Sequence, residues 1–209
     1  MLYSHIDSIY TRSLITNKLE IGKYKKEEFE ALKNIKWIGT EKVDGTNIRI
    51  IWKDGKLSFG GKTDNAQLPI DLINKLKEIF ESKQNLFAEK FAMKEVILFG
   101  EGYGAGIQKG GVYSQTKEFV LFDVAIDEGW VSRGNVVGIA EMFNIKLVPV
   151  LIEGSLMEIV EFVKSQPKSN WNPELVIEGI VARPEVELQN RFGERVIVKI
   201  KVKDLIVKL

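Results

Sequence analysis

The 209-residue sequence contains no cysteine and a single histidine, His5. The absence of cysteine excludes disulfides, thiolate metal sites and thiol nucleophiles. One histidine cannot build a histidine-based catalytic triad or a metal site with several histidine ligands. If the chain is an enzyme, its chemistry must therefore use lysine, carboxylates, hydroxyls or a metal bound through oxygen.

A strong net charge and long apolar runs are also lacking. The formal net charge is +1, so no global positive field indicates a nucleic-acid partner, although 30 lysines and arginines can still form a local basic groove. No hydrophobic run approaches the length of a membrane span, and the N-terminus has no signal-peptide apolar core. These absences predict a cytoplasmic protein, of cellular or viral origin, with no membrane partner.

The sequence does contain enough apolar residues, 44%, to build a core. Without an internal repeat or a linker rich in Pro, Gly or Ser, one compact domain over residues 1–209 is the simplest prediction. A charge-rich segment, residues 18–33, is predicted to form a solvated helix. Continuous apolar runs predict strands at residues 95–100, 118–126 and 176–183. Amphipathic patterns predict helices at residues 69–91, 133–143 and 155–164.

Lys42 lies in a short loop between two apolar stretches, with the turn residues Asp44 and Gly45 directly after it. On this stretch alone, a hairpin with an exposed lysine is the ordinary interpretation. The alternative is a lysine partly desolvated by the strands, which favours the neutral and nucleophilic amine.

Charged residues recur inside apolar strands or at their ends. The five positions are Lys42, Glu101, Glu178, Lys199 and Lys201. Because unpartnered buried charge is costly, five such positions suggest strands that converge on one polar cleft. Two carboxylates and three lysines suit a polyphosphate ligand with a divalent metal.

These residues fall in five short motifs whose order is itself informative. The segments are Lys42–Gly45, Phe99–Glu101, Phe119–Asp123, Glu178–Val181 and Val198–Lys201. In this order they resemble motifs I, III, IIIa, IV and V of the covalent nucleotidyltransferases, which comprise ATP-dependent DNA ligases, RNA ligases and mRNA capping enzymes. The glycine-rich residues 100–111 and the segment 61–67 are similar to the RNA ligase 2 family within that group.

The resemblance implies an α+β nucleotidyltransferase fold of mostly antiparallel sheets flanked by helices. Three departures matter. Asp44 replaces a histidine frequent in phage members. Lys62 replaces the usual arginine, which keeps the charge but loses the bidentate fork. The sequence ends soon after motif V, so neither an OB-fold nor a helical C-terminal domain is expected within it, and an accessory protein is the expected substitute.

The resemblance also implies ATP, Mg²⁺ or Mn²⁺, and RNA as nicked duplex or single-strand ends, handled by a monomeric RNA ligase. Lys42 is the expected nucleophile that carries AMP. The implied catalytic and cofactor partners are Lys199 and Lys201 at the α-phosphate, Glu178 at the metal, Glu101 at the ribose hydroxyls and Phe122 on the adenine. Further candidates are Glu41 and Val43, through backbone contacts with adenine, and Asn47, Lys62 and Gln108, near phosphate, nucleic acid or metal-bound water.

Other interpretations stay open at this point. Asn47 can satisfy turn backbone, and Phe122 can be an ordinary core residue. The chain as a whole can be a DNA ligase, a capping-type guanylyltransferase, or a non-catalytic module that binds nucleic-acid ends. The last alternative gives no reason for the five costly charges to be present together.

Overall fold

The computed structural model describes residues 1–206, which form an α+β fold. The strands are β1 (Asp7–Ser8), β2 (Tyr10–Arg12), β3 (Leu19–Tyr24), β4 (Trp37–Glu41), β5 (Thr46–Lys53), β6 (Lys56–Gly60), β7 (Val96–Tyr103), β8 (Glu118–Ile126), β9 (Gly129–Trp130), β10 (Val150–Gly154), β11 (Gly179–Pro184) and β12 (Val198–Lys201). The α-helices are α1 (Glu27–Ala31), α2 (Ile70–Phe80), α3 (Gln84–Phe91), α4 (Arg133–Met142), α5 (Leu156–Lys164) and α6 (Val202–Leu205). The pairings between these strands are antiparallel except that of β1 with β12, in agreement with the predicted fold class.

The chain divides into two compact units. The first unit comprises Met1–Tyr3 and Asp44–Val148, and the second comprises Ser4–Val43 and the chain from Pro149 onward. The chain therefore passes from the second unit to the first between Val43 and Asp44, one residue beyond Lys42.

The first unit is built on a five-stranded sheet in the order β6-β5-β7-β8-β9. Side chains alternate along β5, so Ile48, Ile50 and Trp52 enter the core under α2, α3 and α4, whereas Arg49 points to the other face. On that other face, Tyr3 packs with a small apolar cluster around Phe99. The helices thus cover one face of the sheet, and Arg49 lies on the face that they do not cover.

The second unit is built on a five-stranded sheet in the order β1-β12-β11-β4-β10, with β2 and β3 as a separate hairpin. Its core gathers Trp37 and Phe29 with apolar residues from β11, β12 and the stripe of α5. Ser155 caps α5 in a reciprocal capping box with Glu158, which fixes where this helix begins.

Most predicted elements are confirmed, including the strands at residues 95–100 and 118–126 and the helices at residues 133–143 and 155–164. The predicted helix at residues 69–91 is present but is interrupted by a 3₁₀ turn at Glu81–Lys83. The predicted helix at residues 18–33 is wrong, because Leu19–Tyr24 pairs with β2 as a strand and only Glu27–Ala31 is helical. None of the helices within residues 1–206 has the length and apolar character needed to cross a bilayer.

Candidate active site

Lys42 directly follows β4 in the second unit. Its backbone N–H donates to the carbonyl oxygen of Gly179 at 2.9 Å, which anchors the residue against β11. The side chain is 23% exposed, so most of its surface is packed against the protein. The structure therefore favours the partly desolvated lysine over the exposed turn lysine.

Glu178 holds two lysine amines at once. Its Oε2 lies 2.6 Å from Nζ of Lys42, and its Oε1 lies 2.6 Å from Nζ of Lys201. Burial of this side chain, which is 17% exposed, would raise the pKa of Glu178, but the two ammonium groups outweigh burial and hold that pKa below its ordinary value. The carboxylate is therefore anionic at neutral pH and fixes both amines.

The strand register explains how these three groups meet. Gly179 pairs with Lys201, and the Val202 N–H donates to the carbonyl oxygen of Glu178, so Glu178, which directly precedes β11, lies at the end of β12. Lys199 and Lys201 are two residues apart on β12 and project to the same face. A Cβ at Gly179 would collide with the carbonyl oxygen of Ile200, so glycine is required for this close approach.

The shared carboxylate predicts a pH-dependent contribution to stability. Replacing Glu178 with glutamine should lower the free energy of unfolding at pH 7 by about 1–3 kcal/mol, because two half-buried ammonium groups lose their anion. Since the folded pKa of Glu178 lies below the ordinary value of 4.5, this contribution is complete above pH 4.5 and is lost as the pH falls through the folded value. Chemical denaturation at a series of pH values from 7 downward measures the gap in unfolding free energy between the native and the Glu178→Gln protein.

The matched control is Glu174→Gln, which changes an exposed carboxylate close by in the sequence. It should leave the unfolding free energy nearly unchanged at every pH. A gap for Glu178→Gln that stays constant well below pH 4.5 would contradict the ion-pair account.

Glu41 is buried at the end of β4. Its backbone N–H already donates to the carbonyl oxygen of Pro149, while Oε2 accepts from the backbone N–H of Asn170. Burial raises the pKa of Glu41, and the Ser169 hydroxyl and Asn170 N–H offset this in part. The other carboxyl oxygen, Oε1, is buried with no hydrogen-bond partner among residues 1–206, so Glu41 has an acceptor to offer through its side chain.

The first unit places Asn47 directly opposite Glu101 in the pairing of β5 with β7. Asn47 Oδ1 is buried and has no hydrogen-bond partner within the described part of the chain. A Cβ at Gly45 would collide with the carbonyl oxygen of Gly102, so the glycine after Asp44 lets this segment lie against β7. Two polar side chains thus share one end of the sheet.

Phe122 lies on β8 next to a bulge in its pairing with β7. Its ring is half-buried, with the ring of Tyr3 at 5.0 Å in an edge-to-face arrangement. The Tyr3 hydroxyl donates to Oδ2 of Asp123 at 2.7 Å. Phe122 is therefore packed against Tyr3 and is partly accessible, which suits a ring that stacks on a planar ligand.

Two other candidates lie on loops of the first unit. Lys62 is exposed in the loop after β6, and Gln108 is exposed in the glycine-rich segment with a positive φ of 46°. Neither belongs to the Lys42–Glu178–Lys201 cluster of the second unit.

A metal site made wholly of protein ligands is not present in residues 1–206, where no three carboxylate or imidazole groups gather. Mg²⁺ commonly keeps several waters and uses one or two carboxylates together with substrate phosphates. Glu178 fits that requirement as a single carboxylate, and its two oxygens bonded to lysines favour contact through water.

Three features around the candidate residues were not predicted from the sequence. Arg49 is a buried charge inside an apolar strand, and the criterion that selected Lys199 would also have selected it. Ser169 and Asn170 hold Glu41 from more than a hundred residues away, and Tyr3 packs against Phe122 from the N-terminus. No local pattern marks these long-range contacts.

Comparisons with known proteins concern the family and the fold. The sequence model of the RNA ligase family matches residues 35–201. A Naegleria gruberi RNA ligase solved without ligand superposes with a TM-score of 0.66 at 18% identity, over 98% of this chain and 60% of that one. Another form of that ligase, with ATP and manganese, superposes with a TM-score of 0.67 at 17% identity, over 96% of this chain and 59% of that one. The form with pyrophosphate superposes with a TM-score of 0.64 at 17% identity, over 95% of this chain and 61% of that one. This chain spans about three fifths of the length of these structures, and the likeness establishes the fold.

Proposed function

The chain belongs to the RNA ligase family, and we propose that it is an ATP-dependent RNA ligase acting through a lysyl-AMP on Lys42. It joins RNA 3′-hydroxyl and 5′-phosphate ends by way of an adenylylated RNA. Residues 1–209 act together as one adenylyltransferase domain in this proposal.

The observation that carries the proposal is the pair of lysine amines bound to one carboxylate. Lys42 and Lys201 each lie 2.6 Å from an oxygen of Glu178, on strand ends that the sheet brings together. A structural ion pair needs one lysine per carboxylate, whereas two half-buried lysines around one carboxylate leave an excess positive charge. An anionic phosphate ligand would balance that charge.

In the first step, the Lys42 ammonium gives a proton to water, and the resulting neutral amine attacks the α-phosphorus of ATP. A nitrogen–phosphorus bond forms, the bond to pyrophosphate breaks, and the nitrogen gives its second proton to water. Lys199 and Lys201, on one face of β12, bind the α-phosphate oxygens and stabilise the negative charge of the transition state. Glu178 keeps the Lys42 side chain extended toward the phosphate before attack.

In the second step, an oxygen of the RNA 5′-phosphate attacks the same phosphorus. The nitrogen–phosphorus bond breaks, Lys42 recovers its proton, and AMP becomes linked to the RNA through a phosphoanhydride. In the third step, the 3′-hydroxyl attacks the RNA 5′-phosphorus and AMP leaves, so that a phosphodiester bond is formed. When bound, a divalent ion near Glu178 would neutralise phosphate charge in these steps.

The first unit supplies groups that recognise the nucleoside. Glu101 accepts hydrogen bonds from the ribose hydroxyls, and Asn47, opposite it on β5, offers a buried Oδ1 that has no hydrogen-bond partner within residues 1–206. Phe122 stacks on the adenine, and the ring of Tyr3 packs against it.

The residues that flank the nucleophile complete the adenine contacts. Because the backbone N–H of Glu41 is already bonded to Pro149, Glu41 acts through its carboxyl Oε1, which has no hydrogen-bond partner within residues 1–206, rather than through its amide N–H. Val43 is buried and contributes an apolar wall. Lys62 binds the RNA 5′-phosphate, and Gln108 lies near the polynucleotide.

Sealing of matched substrates tests the proposal. The chain should join a 3′-hydroxyl RNA end to a 5′-phosphate end at least about tenfold faster than the corresponding DNA ends, the difference expected from one hydrogen bond to a 2′-hydroxyl. Gel separation of the products at equal protein and ATP concentrations measures both rates. Faster DNA sealing would assign a DNA ligase, and binding to ends without any joining would favour the non-catalytic module.

A further inference from the structure

Arg49 is a buried cation in the middle of β5, with a side chain that is only 4% exposed. Its neighbours Ile48 and Ile50 enter the core, so the guanidinium occupies the opposite face of the sheet. A buried guanidinium must find acceptors for its donors. The positions of these acceptors show which segment of the chain the guanidinium holds in place.

The guanidinium holds the loop after β6 at two points. Nε donates to the carbonyl oxygen of Gly61 at 2.8 Å, and Nη2 donates to Oδ1 of Asp64 at 2.8 Å. Nη1 donates to the carbonyl oxygen of Met1 at 3.3 Å. Lys62 lies between Gly61 and Asp64, so the loop is fixed on both sides of this lysine.

Two glycines allow the loop to lie this close. A Cβ at Gly60 would sit 2.9 Å from Nη2 of Arg49, and a Cβ at Gly61 would sit 2.7 Å from Cβ of Ala66. Both distances are shorter than ordinary carbon contacts, so side chains would push the loop away from the guanidinium. Glycines, arginine and aspartate together determine where the backbone of Lys62 lies.

Lys62 itself is exposed and makes no hydrogen bond or ion pair with any residue from 1 to 206. A lysine ammonium is a point charge on a flexible stem and cannot grip a phosphate in a fixed geometry as an arginine fork can. The direction in which the Lys62 ammonium points must therefore be set by the backbone that carries this residue. That backbone is fixed by Arg49 and Asp64.

We infer that Arg49 and Asp64 are positioning residues that aim Lys62 at the 5′-phosphate of RNA. This inference rests on the proposed function, because it specifies how one contact of that function is made. It assigns the pair to AMP transfer from Lys42 to RNA and to recognition of the 5′-phosphate. Formation of the lysyl-AMP is independent of the pair.

Asp64→Ala is the suitable test variant, because the Asp64 side chain is 78% exposed and Arg49 keeps the carbonyl oxygens of Gly61 and Met1 as acceptors when it is removed. Asp64→Asn keeps an acceptor for Arg49 and serves as the conservative rescue. Thr63→Ala is the matched control, since Thr63 is exposed in the same loop and its side chain has no hydrogen bond with residues 1–206. Each change is made alone and in a Lys62→Ala background.

Single-turnover assays separate the two steps. Asp64→Ala should lower the rate of AMP transfer to 5′-phosphorylated RNA about tenfold at subsaturating RNA, while lysyl-AMP formation from ATP stays within about twofold. The lower rate should result from a higher KM for RNA, and Asp64→Asn should recover most of the lost rate. In the Lys62→Ala background, Asp64→Ala should cause no further loss, because its effect acts through Lys62.

Fluorescence anisotropy with 5′-phosphate and 5′-hydroxyl RNA oligonucleotides gives a readout that needs no catalysis. The native chain should prefer the 5′-phosphate, and both Asp64→Ala and Lys62→Ala should reduce that preference by similar factors. The inference would be overturned if Asp64→Ala protein transferred AMP to RNA at the native rate and kept the native preference for 5′-phosphate RNA. It would also be overturned if the losses of Asp64→Ala and Lys62→Ala added up in the double variant. Absence of lysyl-AMP in the native chain would instead overturn the proposed function, while the binding preference would still decide the role of Asp64.

Discussion

Replacing Lys42 with alanine should abolish formation of the AMP adduct, with a rate at least about 10⁴-fold below that of the native chain. The effect is large because the amine of Lys42 makes the covalent bond, and no neighbouring group can replace a nucleophile that has been removed. Lys201 is held by the far oxygen of Glu178 and is not expected to take over the attack. Intact mass after incubation with ATP and Mg²⁺ measures the adduct.

Lys42→Arg separates the chemistry from the ion pair. Arginine can keep a charge beside Glu178 but has no neutral amine with which to attack. This variant should melt close to the native chain and still form no adduct. Both variants should retain joining of pre-adenylylated RNA, because that step does not use the nucleophile. An AMP adduct on Lys42→Ala protein would remove Lys42 from its proposed role.

Replacing Lys201 with alanine should lower the rate of lysyl-AMP formation by about 10²–10³-fold. Lys201 is one of two lysines on the same face of β12, and its amine lies beside the carboxylate that holds Lys42. Its removal takes away a charge aimed at the α-phosphate, where negative charge develops. Stopped reactions at saturating ATP, followed by intact mass, give this rate.

The fold should tolerate Lys201→Ala, because Glu178 keeps its ion pair with Lys42. Lys203→Ala is the matched control, since Lys203 lies two residues further along and is exposed. It should form the adduct at the native rate. Equal rates for the two variants would show that Lys201 does not act on the α-phosphate.

The sequence predicts those parts of the fold in which local pattern and final environment agree. The apolar run of β8 and the amphipathic pattern of α5 specify their elements almost residue by residue. Residues 19–24 do not, because their charges are typical of a solvated helix while their conformation is set by pairing with β2. Gly22, with a φ of 88°, is a local sign against a helix there.

The same distinction applies to the site. Lys42, Glu178 and Lys201 are recognisable because each is a charge at the end of an apolar strand, and the sheet then brings them together. The hydrogen bond from Asn170 to Glu41 and the ion pair of Arg49 with Asp64 depend on how loops fold back. Turn geometry and packing determine those contacts, and neither has a signature in residue spacing.

In the proposed reaction, Lys42 accepts AMP from ATP. Intact mass of the native chain after incubation with Mg²⁺ and either ATP or GTP, followed by peptide mapping of any adduct, tests this step. We expect a single AMP on Lys42 with ATP and no adduct with GTP. A chain that gains no nucleotide, or gains it on another residue, would contradict the account, and a GMP on Lys42 would assign the chain to capping chemistry.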